Sequence, residues 1–169
     1  MVMYRHGIPL LPVELLGYHL GLILGKEYRH LFWNVRTGKR PKAGYGTSVD
    51  ENEKSLNSLF KKLKIPLKVK EHRIESFLTK NHLIDFLQQK INDGKDLIVF
   101  LASDVLNNSN NKNGHACVID RIYVKRGIVR LIDPSPVHPK WREIKFDKFI
   151  KAIKQHPAGN GRILEIESK

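Results

Sequence analysis

The spacing of apolar residues changes partway along the chain, from the three-and-four rhythm of helices to the runs and alternations of strands. Over 12–24, "PVELLGYHLGLIL" sets Val13, Leu16, Leu20, Ile23 and Leu24 near one helical face, with Pro12 suited to the first turn. "KEYRHLFWNVR" continues as a second short helix with Leu31, Phe32 and Val35 on its apolar side, and Gly38, Pro41, Gly44 and Gly46 then mark a loop. Ser48 or Asp50 is placed to cap the next helix, whose Leu56, Leu59, Phe60 and Leu63 form a buried stripe ended by Pro66. "LKVKEHRI" alternates apolar and charged residues as a half-exposed edge strand does. A further helix carries Leu83, Ile84, Leu87 and Ile91 on one face, with Asn81 as its N-cap and Gly94 at its stop.

Strands dominate the second half of the chain. "DLIVFLA" at 96–102 is a continuous apolar run of strand length, the pattern of a strand covered on both faces in the middle of a sheet. A polar loop rich in Asn and Ser comes after it, and then "HACVIDRIYV" and "GIVRLID" read as two strands joined by the tight turn at Lys125 to Gly127. "FDKFIKAIKQH" reads as a final helix and "RILEIE" as a last strand. The order predicts an α+β fold in one domain, 1–169, with helices of the first half packed on an antiparallel sheet built mainly from 96–133 and 162–167.

Composition narrows the functional classes. One cysteine cannot form an internal disulfide, which suits a reducing, cytoplasmic setting. The apolar stretch 8–25 carries Glu14 and His19 and is broken by Pro9 and Pro12, so a membrane span is not expected, and it lacks the cleavage site of a signal peptide. Thirty Lys and Arg against seventeen Asp and Glu give a formal net charge of +13. That excess attracts polyanions at long range, so nucleic acid or an acidic protein is a candidate partner. The basic residues are nonetheless scattered, as a solvated surface would have them, and no helix-turn-helix, zinc-finger or RNP-type signature is present.

Chemistry concentrates at 113–136, "NGHACVIDRIYVKRGIVRLIDPSP". Neighbouring antiparallel strands can bring a histidine at the entry of one beside an aspartate at the exit of the other. A carboxylate on one imidazole nitrogen fixes the tautomer and leaves the other nitrogen to take a proton from a thiol. His115 and Asp133 stand in those places. The competing reading has Asp133 capping the turn before Pro134 and His115 packing against the polar loop at 103–114.

The succession of the "YGTS" loop, a helix, an edge strand, the helix before "INDGKDLIVFLA", a polar loop, "GHACVI", a turn, "VRLIDPSP", a helix and a closing strand resembles the C39-like peptidases, a family of the papain-like cysteine-peptidase fold. The resemblance spans roughly 8–167 and is best over 94–136. It implies a papain-like fold, a general base at His115 and an orienting acid at Asp133. The family's nucleophilic cysteine stands at the start of the first long helix, where the helix dipole favours the thiolate. The matching segment here, "RHGIPLLP" at 5–12, contains no Cys, Ser or Thr, and the glutamine that helps form the oxyanion hole is missing upstream.

Cys117 lies two positions after His115 on the same strand face, with Cα atoms about 6.5 to 7 Å apart. A mid-strand thiol lacks a helix dipole and solvent, so a small buried hydrophobe is expected, with a reactive thiol as the competing reading. No cofactor or metal is expected, because no pair among the histidines has metal-ligand spacing supported by nearby carboxylates or thiols. Trp33, Tyr45 and Trp141 could line a cleft or be ordinary core and rim aromatics. The sequence thus reads as a peptidase-C39-like domain without hydrolytic activity, with a vestigial His–Asp pair and a role in binding a peptide or protein. Two alternatives stay open: a basic module for nucleic acid or an acidic partner, and a thiol hydrolase using Cys117.

Overall fold

The computed structural model describes residues 2–31, 38, 40, 42–43, 55–110, 112–135, 138–157, 159 and 161–169. Phe32, Trp33, Val35, the loop glycines Gly44 and Gly46, Tyr45, Ser48, Asp50 and Pro136 lie outside the described residues. The chain forms two compact units, residues 1–68 with 168–169, and residues 69–167.

In the first unit, α1 (Val2–Arg5) and α2 (Val13–His19) precede β1 (Ile23–Leu24), a 3-10 turn at Lys26–Leu31, β2 (Lys42–Ala43) and α3 (Leu56–Lys62). β1 and β2 pair in parallel. The helix read over 12–24 stops at His19, and Ile23 and Leu24 are in β1. Gly21, at φ 63°, takes the left-handed conformation that closes a helix, while the Leu22 amide reaches back 2.8 Å to the Gly17 carbonyl and the Gly21 amide 3.3 Å to that of Tyr18. A Cβ on Gly17 would meet Leu22 Cδ2 at 2.9 Å, so a larger residue there would push the Leu22 side chain aside, whereas the left-handed backbone at Gly21 favours glycine. Pro12 is the residue before the helix, not part of its first turn. Ser55 caps α3, its hydroxyl accepting from the Ser58 amide, and Leu59 and Phe60 are buried.

The strands form a six-stranded sheet in the order β3 (Leu67–Arg73), β8 (Arg162–Ser168), β4 (Asp96–Ala102), β5 (Gly114–Tyr123), β6 (Ile128–Ile132), β7 (Trp141–Lys145). The β8–β4, β4–β5, β5–β6 and β6–β7 pairings are antiparallel, and the fold is α+β. β4 occupies the span of "DLIVFLA", hydrogen-bonded on both sides, with Leu97, Val99 and Leu101 fully buried. β3 is an edge strand, as its alternation requires.

Against this sheet pack α4 (Lys80–Asn92), α5 (Ser103–Asn107) and α6 (Phe146–Lys154). Leu83, Ile84 and Leu87 of α4 and Phe149, Ala152 and Ile153 of α6 meet Leu97, Val99, Leu101, Ile119, Val129 and Leu131 in one apolar core. At about 25 cal/mol per Å² of apolar surface, such burial is the main force holding the unit. α4 begins two residues earlier than Asn81 implies. Thr79 is the N-cap, accepting from the His82 amide at 3.1 Å, and Gly94 at φ 73° ends the helix. Thr79→Ala is expected to lower stability by about 1 kcal/mol, read as a shifted urea midpoint with unchanged slope.

Elements of the second unit also depart from the sequence reading: the polar stretch after β4 opens with the short helix α5, and "WREIK", to which no element was assigned, is strand β7. Opposite Leu97, on the face where α4 packs, the buried Glu165 carboxylate accepts from His72 Nε2 at 2.7 Å and Lys90 Nζ at 2.9 Å. Burial pushes its pKa up, but these two partners outweigh it and hold the group below the ordinary carboxylate range.

Candidate active site

Register places the side chains. His115 stands opposite Leu101 and Cys117 opposite Val99, so both lie on the sheet face that carries the core. Asp133 follows the last residue of β6, and its amide donates to the Lys140 carbonyl at 2.8 Å, which keeps it beside the entry to β7. Arg142 stands opposite Leu131, again on the core face.

His115 Nε2 lies 2.7 Å from Asp133 Oδ1. The same oxygen accepts the Ser135 amide at 2.9 Å, so Asp133 both engages the histidine and caps the turn at Pro134; the two competing readings of this aspartate are compatible. Arg142 Nη1 donates to Oδ2 at 2.9 Å, and Nη2 reaches Asn107 Oδ1 at 2.9 Å and the Leu106 carbonyl at 3.2 Å. One guanidinium therefore joins β7, the carboxylate and the C-terminal end of α5, where a cation is favoured by the helix dipole.

The Asp133 side chain is fully buried. Burial alone would raise its pKa, yet the Arg142 guanidinium, the Ser135 amide and His115 together hold it below the ordinary carboxyl value of 3.8. An ionised carboxylate only accepts hydrogen bonds, so Nε2 carries the proton toward Asp133 and Nδ1 is the nitrogen left to accept one. His115 is one-fifth exposed at its side chain, and the His138 ring stands edge-on at 6.5 Å.

Cys117 is buried, and its thiol pKa is pushed up to about 12, chiefly by burial and then by the Asp133 charge, with Arg142 opposing. At neutral pH such a thiol stays protonated. One ligand atom each of His115, Cys117 and Asp133 lies within 4.8 Å of the others, as the shared strand face and the hairpin allow. The trio offers nitrogen, sulfur and oxygen to a cation. Binding one would require removing the thiol proton and placing a second positive charge beside Arg142.

The sequence reading missed Arg142. Its signal was the alternation of Arg142 and Ile144 with Trp141, Glu143 and Lys145, which puts an arginine on the inward face of a strand. Of the aromatics proposed for a cleft, Trp141 lies half exposed on the opposite face of β7, paired with Ile132. Among the described residues no helix is long and apolar enough to cross a membrane.

No family model matches the sequence, and no curated protein matches it. Among solved structures, the crystal structure of a protein from Bacillus anthracis that carries the name C39-like peptidase is similar. It is 18% identical at a TM-score of 0.53, and the match covers 100% of this chain and 86% of that one. Likeness at this level of identity establishes a shared fold, a mixed helical layer on an antiparallel sheet.

Proposed function

We propose that residues 1–169 form one peptidase-C39-like domain that binds a peptide or protein ligand without hydrolysing it, in a reducing compartment. The observation that carries this reading is the state of the sole cysteine, a buried thiol with its pKa pushed up to about 12 beside the hydrogen-bonded His115–Asp133 pair. Peptide hydrolysis through an acyl-enzyme needs a nucleophile activated beside the base. Residues 5–12, which match the segment carrying the nucleophile in the resembling family, contain no Cys, Ser or Thr. The base and its orienting acid remain, held by Arg142, and serve to keep the strand ends ordered.

The proximity of His115, Cys117 and Asp133 favours a second reading, in which Cys117 is the nucleophile and gives its proton to Nδ1 of His115. A degenerate peptide library incubated with the purified chain separates the two. Peptides are expected to remain intact by mass spectrometry, with a sequence-related subset retained on immobilised protein. Cleavage products that disappear in both Cys117→Ala and His115→Ala would establish the hydrolase, and failure to retain any peptide would remove the binding role.

A further inference from the structure

The sheet face opposite His115 carries a ladder in which cations and rings alternate. Lys140 Nζ lies 5.9 Å from the Trp141 ring centre, the Arg130 guanidinium 5.1 Å from Trp141 and 5.7 Å from Tyr123, and the Arg126 guanidinium 5.1 Å from Tyr123. The register brings them together: Arg130 faces Arg121 on β5 and Glu143 on β7, Ile132 faces Trp141, and Tyr123 faces Ile128. Directly opposed residues share a face of the sheet.

Two carboxylates fix the ladder. A register shift between Ile119 and Arg121 makes Asp120 the extra residue of a bulge, and Asp120 Oδ2 accepts from Arg130 Nε at 2.6 Å. Glu143 Oε2 accepts from Arg126 Nη2 at 2.8 Å. The carboxylates take N–H groups of the guanidiniums, whose central carbons lie over the rings. Positive charge nevertheless remains in excess among the described residues, five cations (Arg121, Arg126, Arg130, Lys140, Lys145) against these two anions, on a chain of net charge +13. Arg121 is exposed and directly opposes Arg130, an arrangement of like charges that costs stability. Trp141, at 50% exposure, presents a large flat apolar group to solvent beside these cations.

We propose that this face of β5, β6 and β7 binds single-stranded nucleic acid, with Trp141 and Tyr123 stacking on bases and Arg121 and Lys140 meeting phosphates. Flat rings interleaved with cations are the chemistry that tracks an unpaired strand, since every base has a stackable face and every linkage a charge. Arg130 and Arg126, pinned by Asp120 and Glu143, lie over the Trp141 and Tyr123 rings and hold them in place, so the rings lose little freedom on binding. An acidic peptide would answer the charge but leave the exposed indole without a planar partner. A duplex keeps its bases stacked on one another and away from it. The proposal is independent of whether Cys117 is reactive.

Fluorescence anisotropy of a labelled oligothymidylate, about 12 nucleotides long, titrated with the whole chain over a range of salt, tests this. Binding is expected at low salt, weakening with a log–log slope of about −0.7 per phosphate contacted. Trp141→Ala should weaken it by about 5- to 100-fold, with Trp141→Phe retaining most of the affinity, and Arg121→Gln should make the salt slope shallower by about 0.7. Absence of binding at low salt, Trp141→Ala binding as wild type does, or equal affinity for polyglutamate would each overturn the proposal.

Discussion

Replacing Arg142 with methionine is expected to destabilise the protein by about 3 kcal/mol or more at neutral pH. The Asp133 side chain is fully buried and that of Arg142 is 15% exposed. Methionine fills much of the same space but leaves the carboxylate with only His115 and Ser135 as donors. It also strips Nη2 from Asn107 and from the Leu106 carbonyl, loosening β7 from α5. The pH dependence has a definite sign. The Asp133 pKa is lowered in the folded protein, so its contribution to stability is present above the ordinary carboxyl value of 3.8 and is lost as pH falls through the lowered one. In the variant the carboxyl is no longer held so low and can neutralise by taking up a proton. The gap between variant and wild type should therefore be widest near neutrality and narrow in acid. Arg142→Lys should restore only part of the loss, because one ammonium cannot reproduce a fork that reaches three acceptors. Urea unfolding across pH reads all of this. A gap under about 1 kcal/mol at neutral pH, or one that widens in acid, would show that the guanidinium does not compensate the buried carboxylate.

Gly161→Ala is expected to cost about 3 kcal/mol for a steric reason. Gly161 is buried ahead of β8, and a Cβ there would run into the carbonyl oxygen of Ile153 and lie 2.6 Å from Ile153 Cγ2. Ile153 is fully buried on α6, so it has nowhere to retreat. The Gly161 carbonyl also accepts the Ile74 amide at 2.9 Å, which restrains the backbone from swinging away. Its φ is not positive, so the effect isolates close approach from backbone strain. A melting temperature lower by about 6 to 12 °C is the expected calorimetric result. A variant within about 2 °C of wild type would mean that α6 and β8 can separate at little cost.

Much of this molecule is legible in the sequence where local pattern decides. "DLIVFLA" needs no distant information to be read as a strand buried on both faces, because apolar side chains of both parities have to be covered. Gly94 marks the end of α4 because few other residues accept a left-handed backbone. Gly21 carried the same signal, but the apolar spacing beyond it suggested a longer helix, and only the reversal at Leu22 shows the glycine as a terminator. The approach of His115 to Asp133 was readable from two strands and the turn between them.

Arg142 was not readable in that way. Its partners Leu106, Asn107 and Asp133 come from α5 and from the end of β6, and the guanidinium meets them only when β7 takes its register on β6. Cys117 is similar. Its neighbours in sequence place it on a strand, but the pKa of its thiol is set by burial beneath packed helices and by the charges of Asp133 and Arg142. By itself the sequence determined the periodicities, the turns and the pairing of one hairpin, since these depend on residues close along the chain. Only the tertiary structure decided which charges are buried together, because desolvation and hydrogen-bond geometry are set by side chains that the sheet brings together from different strands.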